Sequence, residues 1–440
     1  MPSADVVVIG AGLAGLTAAI AAAESGAHVV VLAKGHAATH WGPGGIDVAG
    51  IPAASTPRDG IRLLAGEPGH PYAFLGDDVA AALDWLRPLL AAGGVDYVGD
   101  LDTPLQPVPT SIGGTRRAAI LPAGQAGALS PWSPGERLVI CGIAGFKDFW
   151  PDAIAASLMR DRIWQGASRP ASVTPISVAL PGLAARHNLN ALEIARRFDD
   201  PAWRATAIAT LAKAIGGVPG SGGRVALPAV LGIRDHAAVL AAAQEHLPAA
   251  PFELPLVPPS VPGMRLYAAL RAALIRAGGR VQIGEMIERV EHEGDRVTAV
   301  VAAAAARTYT VRTGALVIAT GGIAGGGLVA ERDGRLLEVV LGLPVEAPPV
   351  EEWLSLDAFD PAGHPLERAG IRTDTELRPV GPDGVPVYDN VRVAGSLLAG
   401  QRSIGERCGD GVALTSGRRA ARSLTAVPAG HAAEPGSTRP

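Results

Sequence analysis

Thiols are scarce: Cys141 and Cys408 are the only cysteines in 440 residues. They stand too far apart to form a metal-ligand pattern, so a disulfide framework and a cysteine-based metal site are both excluded, and a reduced, cytoplasmic setting is the simplest reading. Charge is also low, at 18% of residues with a formal net charge of −4. That balance gives no electrostatic basis for nucleic-acid binding. Aromatic residues reach only 4%, yet apolar residues make up 48%, which argues against global disorder. Residues 6–23 carry no charge and superficially match a signal peptide or a membrane span. A basic n-region is missing, three glycines interrupt the run, and a strand pattern follows it, so neither export nor a spanning helix is expected. Any membrane association, at the inner face of the cell membrane, is then expected to come through partners.

What the chain does contain is glycine (56) and proline (37), hence many turns, and enough length for two domains. Residues 5–34 organise it. A β-branched run, Val6 to Ile9, leads into Gly10-Ala11-Gly12-Leu13-Ala14-Gly15, then an alanine-rich helix, then Val29 to Leu32. In a βαβ unit Gly10 permits the turn out of the strand, Gly12 lets backbone approach a pyrophosphate, and Gly15 lets helix and strand pack closely. The phosphate faces the unpaired amides and positive dipole end of a helix N-terminus. One part of this dinucleotide pattern is absent. The second strand normally ends in an acid that accepts from an adenosine ribose, but here Ala33 and Lys34 stand at that place.

Further along, residues 35–50 are dense in glycine, and Gly44-Gly45-Ile46 is read as a cofactor-facing loop, with an ordinary surface turn as the alternative. Residues 77–90 have helical spacing, and the stretch up to 117 has little periodicity. From 137 a second α/β pattern begins: strands at 138–141, 172–179, 224–230 and 252–257 alternate with helices at 148–160, 191–198, 201–215 and 235–247. The turn Gly142 to Gly145 is read as structural. After the crossing loop 258–263 come a helix at 264–277 and strands at 280–283, 286–292, 296–303, 307–312 and 315–319. The last of these ends in Thr320-Gly321-Gly322, where small residues leave room for a second backbone beside a cofactor. A strand at 391–394 runs into Gly395-Ser396, and Gly409-Asp410-Gly411-Val412 opens a helix reaching 424, again presenting an N-terminus to an electron-rich group.

The fold class expected is α/β. A Rossmann-like flavin-binding domain, with a mixed parallel sheet and β-meander, comprises 1–56 and 258–427; a second α/β domain, 57–257, interrupts it, and 428–440 is a disordered tail.

The order of these pieces resembles the fumarate reductase and succinate dehydrogenase flavoproteins. Within that group the chain is similar to the B subunit of anaerobic glycerol-3-phosphate dehydrogenase. The resemblance rests on Gly142-Ile143-Ala144-Gly145-Phe146-Lys147-Asp148-Phe149, Leu227-Pro228-Ala229-Val230-Leu231-Gly232 and Pro258-Pro259-Ser260-Val261. It rests also on Gly326-Gly327-Leu328-Val329-Ala330-Glu331-Arg332, Leu341-Gly342-Leu343 and Thr373-Asp374-Thr375-Glu376-Leu377-Arg378-Pro379. It implies a flavin subunit working beside a catalytic flavoprotein subunit and a membrane-bound iron–sulfur subunit, in a complex that oxidises glycerol 3-phosphate to glycerone phosphate and passes electrons to quinone. The wider group has acids at the positions of Ala33 and Ser396. With both missing, FMN, which has no adenosine, is the expected cofactor and FAD the alternative; the FMN phosphate would use the Gly10 to Gly15 loop or Lys34. His40 invites comparison with the flavin-linking histidine of succinate dehydrogenases, but it stands only six residues before Ile46 and is read as a packed or hydrogen-bonding histidine. Two rivals remain: a stand-alone flavin reductase or dehydrogenase, for which Arg265, Arg332, Arg378 and His236 are the candidate substrate groups, and a structural subunit that has lost its flavin.

Overall fold

The computed structural model describes residues 2–425 except 162–168, 184–185, 187, 221 and 306. The tail at 428–440 lies outside the described residues. Ser3–Ile9 forms the middle of a seven-stranded sheet, flanked in parallel by Val29–Ala33 and Arg307–Ile318. Val7 sits level with Val30 on one side and Leu316 on the other, and all three are buried. Near-continuous β-branched residues suit a strand covered on both faces. Arg280–Ile283 closes one edge in parallel beside Val29–Ala33.

The opposite edge divides. Instead of two strands at 307–312 and 315–319, one continuous strand, Arg307–Ile318, serves two partners. Its first half pairs antiparallel with Arg296–Ala304, which pairs in turn with Met286–Glu293 to form the meander. Its last residues pair in parallel with Val391–Val393. Asn390 fills the fork. Its Oδ1 accepts from the Val297 amide at 2.9 Å, and its Nδ2 donates to the carbonyls of Val297 and Gly314 at 2.7 and 2.8 Å. A sequence reading that splits the strand misses this, because the bond partner that bridges the gap lies some 80 residues away (|i−j| = 76 to Gly314).

Helix Leu13–Glu24 is buried from Leu13 to Ala23, all round its circumference. Small alanines allow it to lie between the sheet and two helices, Val261–Arg276 and Gly409–Thr425. Helices Pro57–Ala65 and Val79–Ala91 add Ile61, Leu64, Leu83, Leu86 and Leu90 to the same core. No helix among the described residues is long and apolar enough to cross a membrane.

A second core, from Val108 to Val261, surrounds a four-stranded parallel sheet ordered Ala250–Leu254, Arg224–Pro228, Arg137–Ile143, Ser172–Val178. Its helices, Pro151–Leu158, Ala191–Phe198, Pro201–Gly216 and His236–His246, match the expected alternation. Gly145, at φ +82°, packs against the Arg186 carbonyl and Gly142 against the Pro151 ring, so this glycine turn makes contacts within its own unit.

A buried ion pair ties the two cores together. Arg265, on Val261–Arg276, donates to both Glu253 oxygens at 2.7 and 3.0 Å and to the Gly232 carbonyl at 2.8 and 2.6 Å. Glu253, on the edge strand of the second sheet, also accepts from the Leu231 amide at 2.9 Å. Burial raises the Glu253 carboxyl, but Arg265, His236 and these hydrogen bonds outweigh it and hold the group below its ordinary range. Removing one partner strands the other's charge in the interior. We expect Arg265→Met to cost about 3–5 kcal/mol in denaturant unfolding. A loss under about 1 kcal/mol would show that the pair does not couple the two units.

Candidate cofactor site

Gly10 leaves the first strand with φ +110°, and any Cβ there would run into the Ala319 carbonyl. Gly15, one helical turn on, lies directly against the Gly10 carbonyl. Gly12 is the N-cap and supplies no side-chain cap. The Leu13 amide donates to the Thr39 hydroxyl at 2.9 Å, whereas the amides of Ala14 and Gly15 have no acceptor among the described residues. Both residues are buried, and their two donors stand at the positive end of the helix. Such an arrangement suits an anion.

Other predicted glycines gather round it. Gly321 adopts φ +82°, Gly322 lies against the Ser396 carbonyl, and Gly395, at φ +77°, faces the Ala14 methyl. The Thr320 hydroxyl is buried without a partner among the described residues. The Gly395 amide donates to the Ser416 hydroxyl at 2.9 Å, and the Ser396 side chain is exposed. Lys34 is also exposed, at the end of the second strand.

The remaining predicted residues form a second group. Gly44, with φ +83°, accepts from the Tyr97 hydroxyl and packs against Pro262; Gly45 lies beside Arg116; and Ile46, buried, donates its amide to the Ile120 carbonyl at 3.1 Å. Gly409–Thr425 meets this loop through two bonds to the Asp47 backbone: the Asp47 amide donates to the Asp410 side chain at Oδ2, 3.0 Å, and the Gly411 amide donates to the Asp47 carbonyl at 3.0 Å. Val412 continues the helix, its amide bonded to the Cys408 carbonyl at 2.9 Å. Arg116 Nη1 grips both Asp47 oxygens at 2.7 and 2.9 Å, while its Nε and Nη2 are buried with no acceptor among the described residues. Burial, and then the Asp47 charge, push the Asp410 carboxyl up to about 7. His40 stacks on His36 at 4.5 Å and meets Tyr267 edge-on; its Nδ1 and the Tyr267 hydroxyl are buried and unpaired among the described residues, and burial followed by His36 lowers its pKa.

The four substrate-group candidates are placed elsewhere. Arg265 holds Glu253; Arg378 holds Asp374 at 2.7 Å; His236 Nδ1 lies 2.7 Å from the Leu231 carbonyl; and Arg332 is exposed. Arg116 and Tyr97 were not anticipated, because they join the site from segments with no local pattern, whereas Asp47 belongs to the glycine-dense loop at 35–50. Behind the site, His70 Nε2 and Arg368 both approach Glu406, at 3.3 and 2.9 Å, and the Cys408 thiol donates to it at 3.6 Å. His70 Nδ1 accepts from the Tyr72 amide, which puts the ring proton on Nε2, facing the carboxylate. With a guanidinium on the same carboxylate, this trio braces residues 403–407.

Residues 5–412 match a family model described as an FAD binding domain. A probable B subunit of anaerobic glycerol-3-phosphate dehydrogenase from Halobacterium salinarum is 31% identical over 436 residues, covering 94% of this chain and 96% of the relative. The chain belongs to this family of FAD-binding B subunits. The member from Yersinia enterocolitica is 31% identical over 429 residues, with the same coverage of 94% and 96%. The member from Aliivibrio fischeri is 28% identical over 461 residues, covering 96% of this chain and 95% of its own. Among solved structures, a 3-ketosteroid-Δ4-(5α)-dehydrogenase from Rhodococcus jostii superposes with a TM-score of 0.43 at 16% identity, covering 96% of this chain and 97% of that one. The family is an FAD-binding one, so the expectation of FMN receives no support from it. The residues present fit such a group: the unpaired amides of Ala14 and Gly15, the orphaned Thr320 hydroxyl and the side-chain-free approaches at Gly10, Gly321 and Gly395 all suit a phosphorylated, flat ligand.

The glycines differ in what they tolerate. A Cβ on Gly12 comes only to 3.3 Å from the Ala37 methyl, whereas one on Gly10 meets a carbonyl in a left-handed conformation. Gly12→Ala should cost under about 1 kcal/mol of stability and Gly10→Ala at least about 2 kcal/mol, read by chemical unfolding. Equal losses would refute the packing described for Gly10.

Asp410 gives a pH signature. Its folded pKa lies above the unfolded value near 3.9, so between about pH 4 and 7 the folded chain holds a proton that the unfolded chain releases, and stability falls as pH rises through that window. Asp410→Asn keeps an acceptor for the Asp47 amide and removes the titration. The variant should gain about 1–3 kcal/mol over the parent between pH 5 and 8; parallel pH–stability curves would exclude a raised pKa.

Proposed function

We propose that this chain is the FAD-carrying subunit of a glycerol-3-phosphate dehydrogenase complex, relaying electrons between a catalytic flavoprotein subunit and a membrane-bound iron–sulfur subunit on the way to quinone. The observation that carries this reading is the pair of buried helix N-terminal amides at Ala14 and Gly15, in a chain similar over nearly its whole length to B subunits of that enzyme. The flavin, when bound, supplies reversible two-electron and one-electron chemistry that no protein side chain offers. The chain's own residues bind, orient and insulate. Ala14 and Gly15 offer amides to the pyrophosphate, and Gly10, Gly321, Gly322 and Gly395 keep side chains out of its path. Gly44, Gly45 and Ile46, with Gly409 to Val412, line the ring end, where Arg116 keeps two donor nitrogens for an electron-rich acceptor. A cation beside the ring favours the reduced, more negative state. Asp410, protonated below about pH 7, leaves that field undiminished. The seat for FAD also weighs against a subunit that has lost its flavin.

Substrate oxidation is assigned to the partner. Three of the four candidate substrate groups, Arg265, Arg378 and His236, are engaged in structural bonds. The purified chain should therefore release FAD on heating, at one per chain by chromatography, and should oxidise glycerol 3-phosphate with an artificial acceptor at under about 1% of the rate of the assembled complex. Gly12→Val, whose branched side chain fills the approach to the phosphate, should remain folded and retain no flavin. A colourless wild-type protein that cannot be reconstituted with flavin would refute the reading, and robust turnover by the lone chain would assign the chemistry to it instead.

A further inference from the structure

FAD set across this sheet brings its adenosine to the carboxyl end of the second strand, where Ala33 has no side-chain acceptor and Lys34 is a donor. The adjacent strand supplies what is missing. Arg280–Ile283 runs parallel to Val29–Ala33 with Ile283 level with Ala33. Past Ile283 the chain turns at Gly284, φ +92°, and the amides of Gly284 and Glu285 both donate to the Ala33 carbonyl, at 2.9 and 3.0 Å. These two bonds fix the Glu285 backbone beside the place where the acid is absent.

The side chain is unsatisfied there. Glu285 is half-buried as a residue, yet its Oε2 is fully buried and has no donor among the described residues. Its neighbour Tyr309 directs its hydroxyl proton to Gln282 Oε1 at 2.5 Å, so that proton is already committed. Burial, and then the neighbouring Glu285, push the Tyr309 phenol up to about 12. A buried carboxylate oxygen without a donor is costly, and natural folds leave one chiefly where a ligand completes it. Adenosine brings suitable donors: ribose hydroxyls and the adenine amino group.

We propose that Glu285 holds the adenosine end of FAD, accepting hydrogen bonds from its ribose or adenine in place of the carboxylate absent at Ala33. The assignment rests on the FAD reading above and makes it specific: selectivity for FAD over FMN comes from the third strand of the nucleotide unit instead of the second. Parallel strands lie about 4.8 Å apart, so an acid just past the third strand stands next to the position where the second strand normally carries one.

The test uses the full chain stripped of flavin and titrated with FAD, FMN and ADP, following flavin fluorescence and, for ADP, displacement of bound FAD. Wild-type protein should bind FAD more tightly than FMN and should release FAD to ADP. Glu285→Ala should lose roughly ten- to a hundredfold in affinity for FAD and ADP and leave FMN affinity unchanged. Glu285→Gln, which keeps the shape and one acceptor oxygen, should fall between, and its unchanged thermal unfolding would show that the fold is intact. Unaltered FAD affinity in Glu285→Ala, or an equal loss for FMN, overturns the role of Glu285 while leaving the FAD reading in place. A wild-type chain that binds FMN but neither FAD nor ADP overturns both.

Discussion

Backbone meets backbone at the head of the first strand, and the site depends on that contact. Gly15 lies on the Gly10 carbonyl, Gly10 on the Ala319 carbonyl, Gly417 on the Ala14 carbonyl, and Gly395 on the Ala14 methyl. At each point a Cβ would force apart two elements that the sheet and its covering helices hold together. The same absence of side chains brings three chain ends, near residues 10, 320 and 395, around one helix N-terminus. Close packing and ligand access thus have one cause: glycine stands where the layers touch, and it leaves the space that the proposed phosphate site requires.

The second layer of the site is electrostatic. Asp47, Arg116 and Asp410 come from three separate segments and are joined through Asp47, which takes the guanidinium on its side chain and both directions of backbone bonding from the final helix. Burial, and then the Asp47 charge, raises the Asp410 carboxyl, and Arg116 keeps Nε and Nη2 without an acceptor among the described residues. Glu406, by contrast, is fully engaged: burial would raise it, but His70, the Arg402 amide and Arg368 hold it below the usual range. Paired charges there brace the turn before the helix, whereas the unpaired donors of Arg116 face the loop.

Much of the fold was legible because its signals are local. β-Branched runs with glycine stops located the parallel strands, and the residues at 191–198 and 280–283 fell where periodicity put them. The forked strand was not legible: Gly314 looks like a break until Asn390, far along the chain, is seen holding both branches. Likewise residues 61–105 contribute side chains to the first core, although nothing in their spacing says which sheet they cover.

By itself the sequence determined the nucleotide-type loop, the alternation that builds two sheets, the family likeness and the loss of an acid after the second strand, because each is written in contiguous residues whose conformational preferences act over a few bonds. Tertiary structure alone decided which glycines touch, that Arg265 answers Glu253 across the two units, that Arg116 stands beside Gly45, and that Glu285 is tied to the end of the strand where the acid is missing. These are contacts between segments tens to hundreds of residues apart. Their partners are set by the register of strands and the depth of helix packing, and neither quantity is encoded in any single stretch of chain.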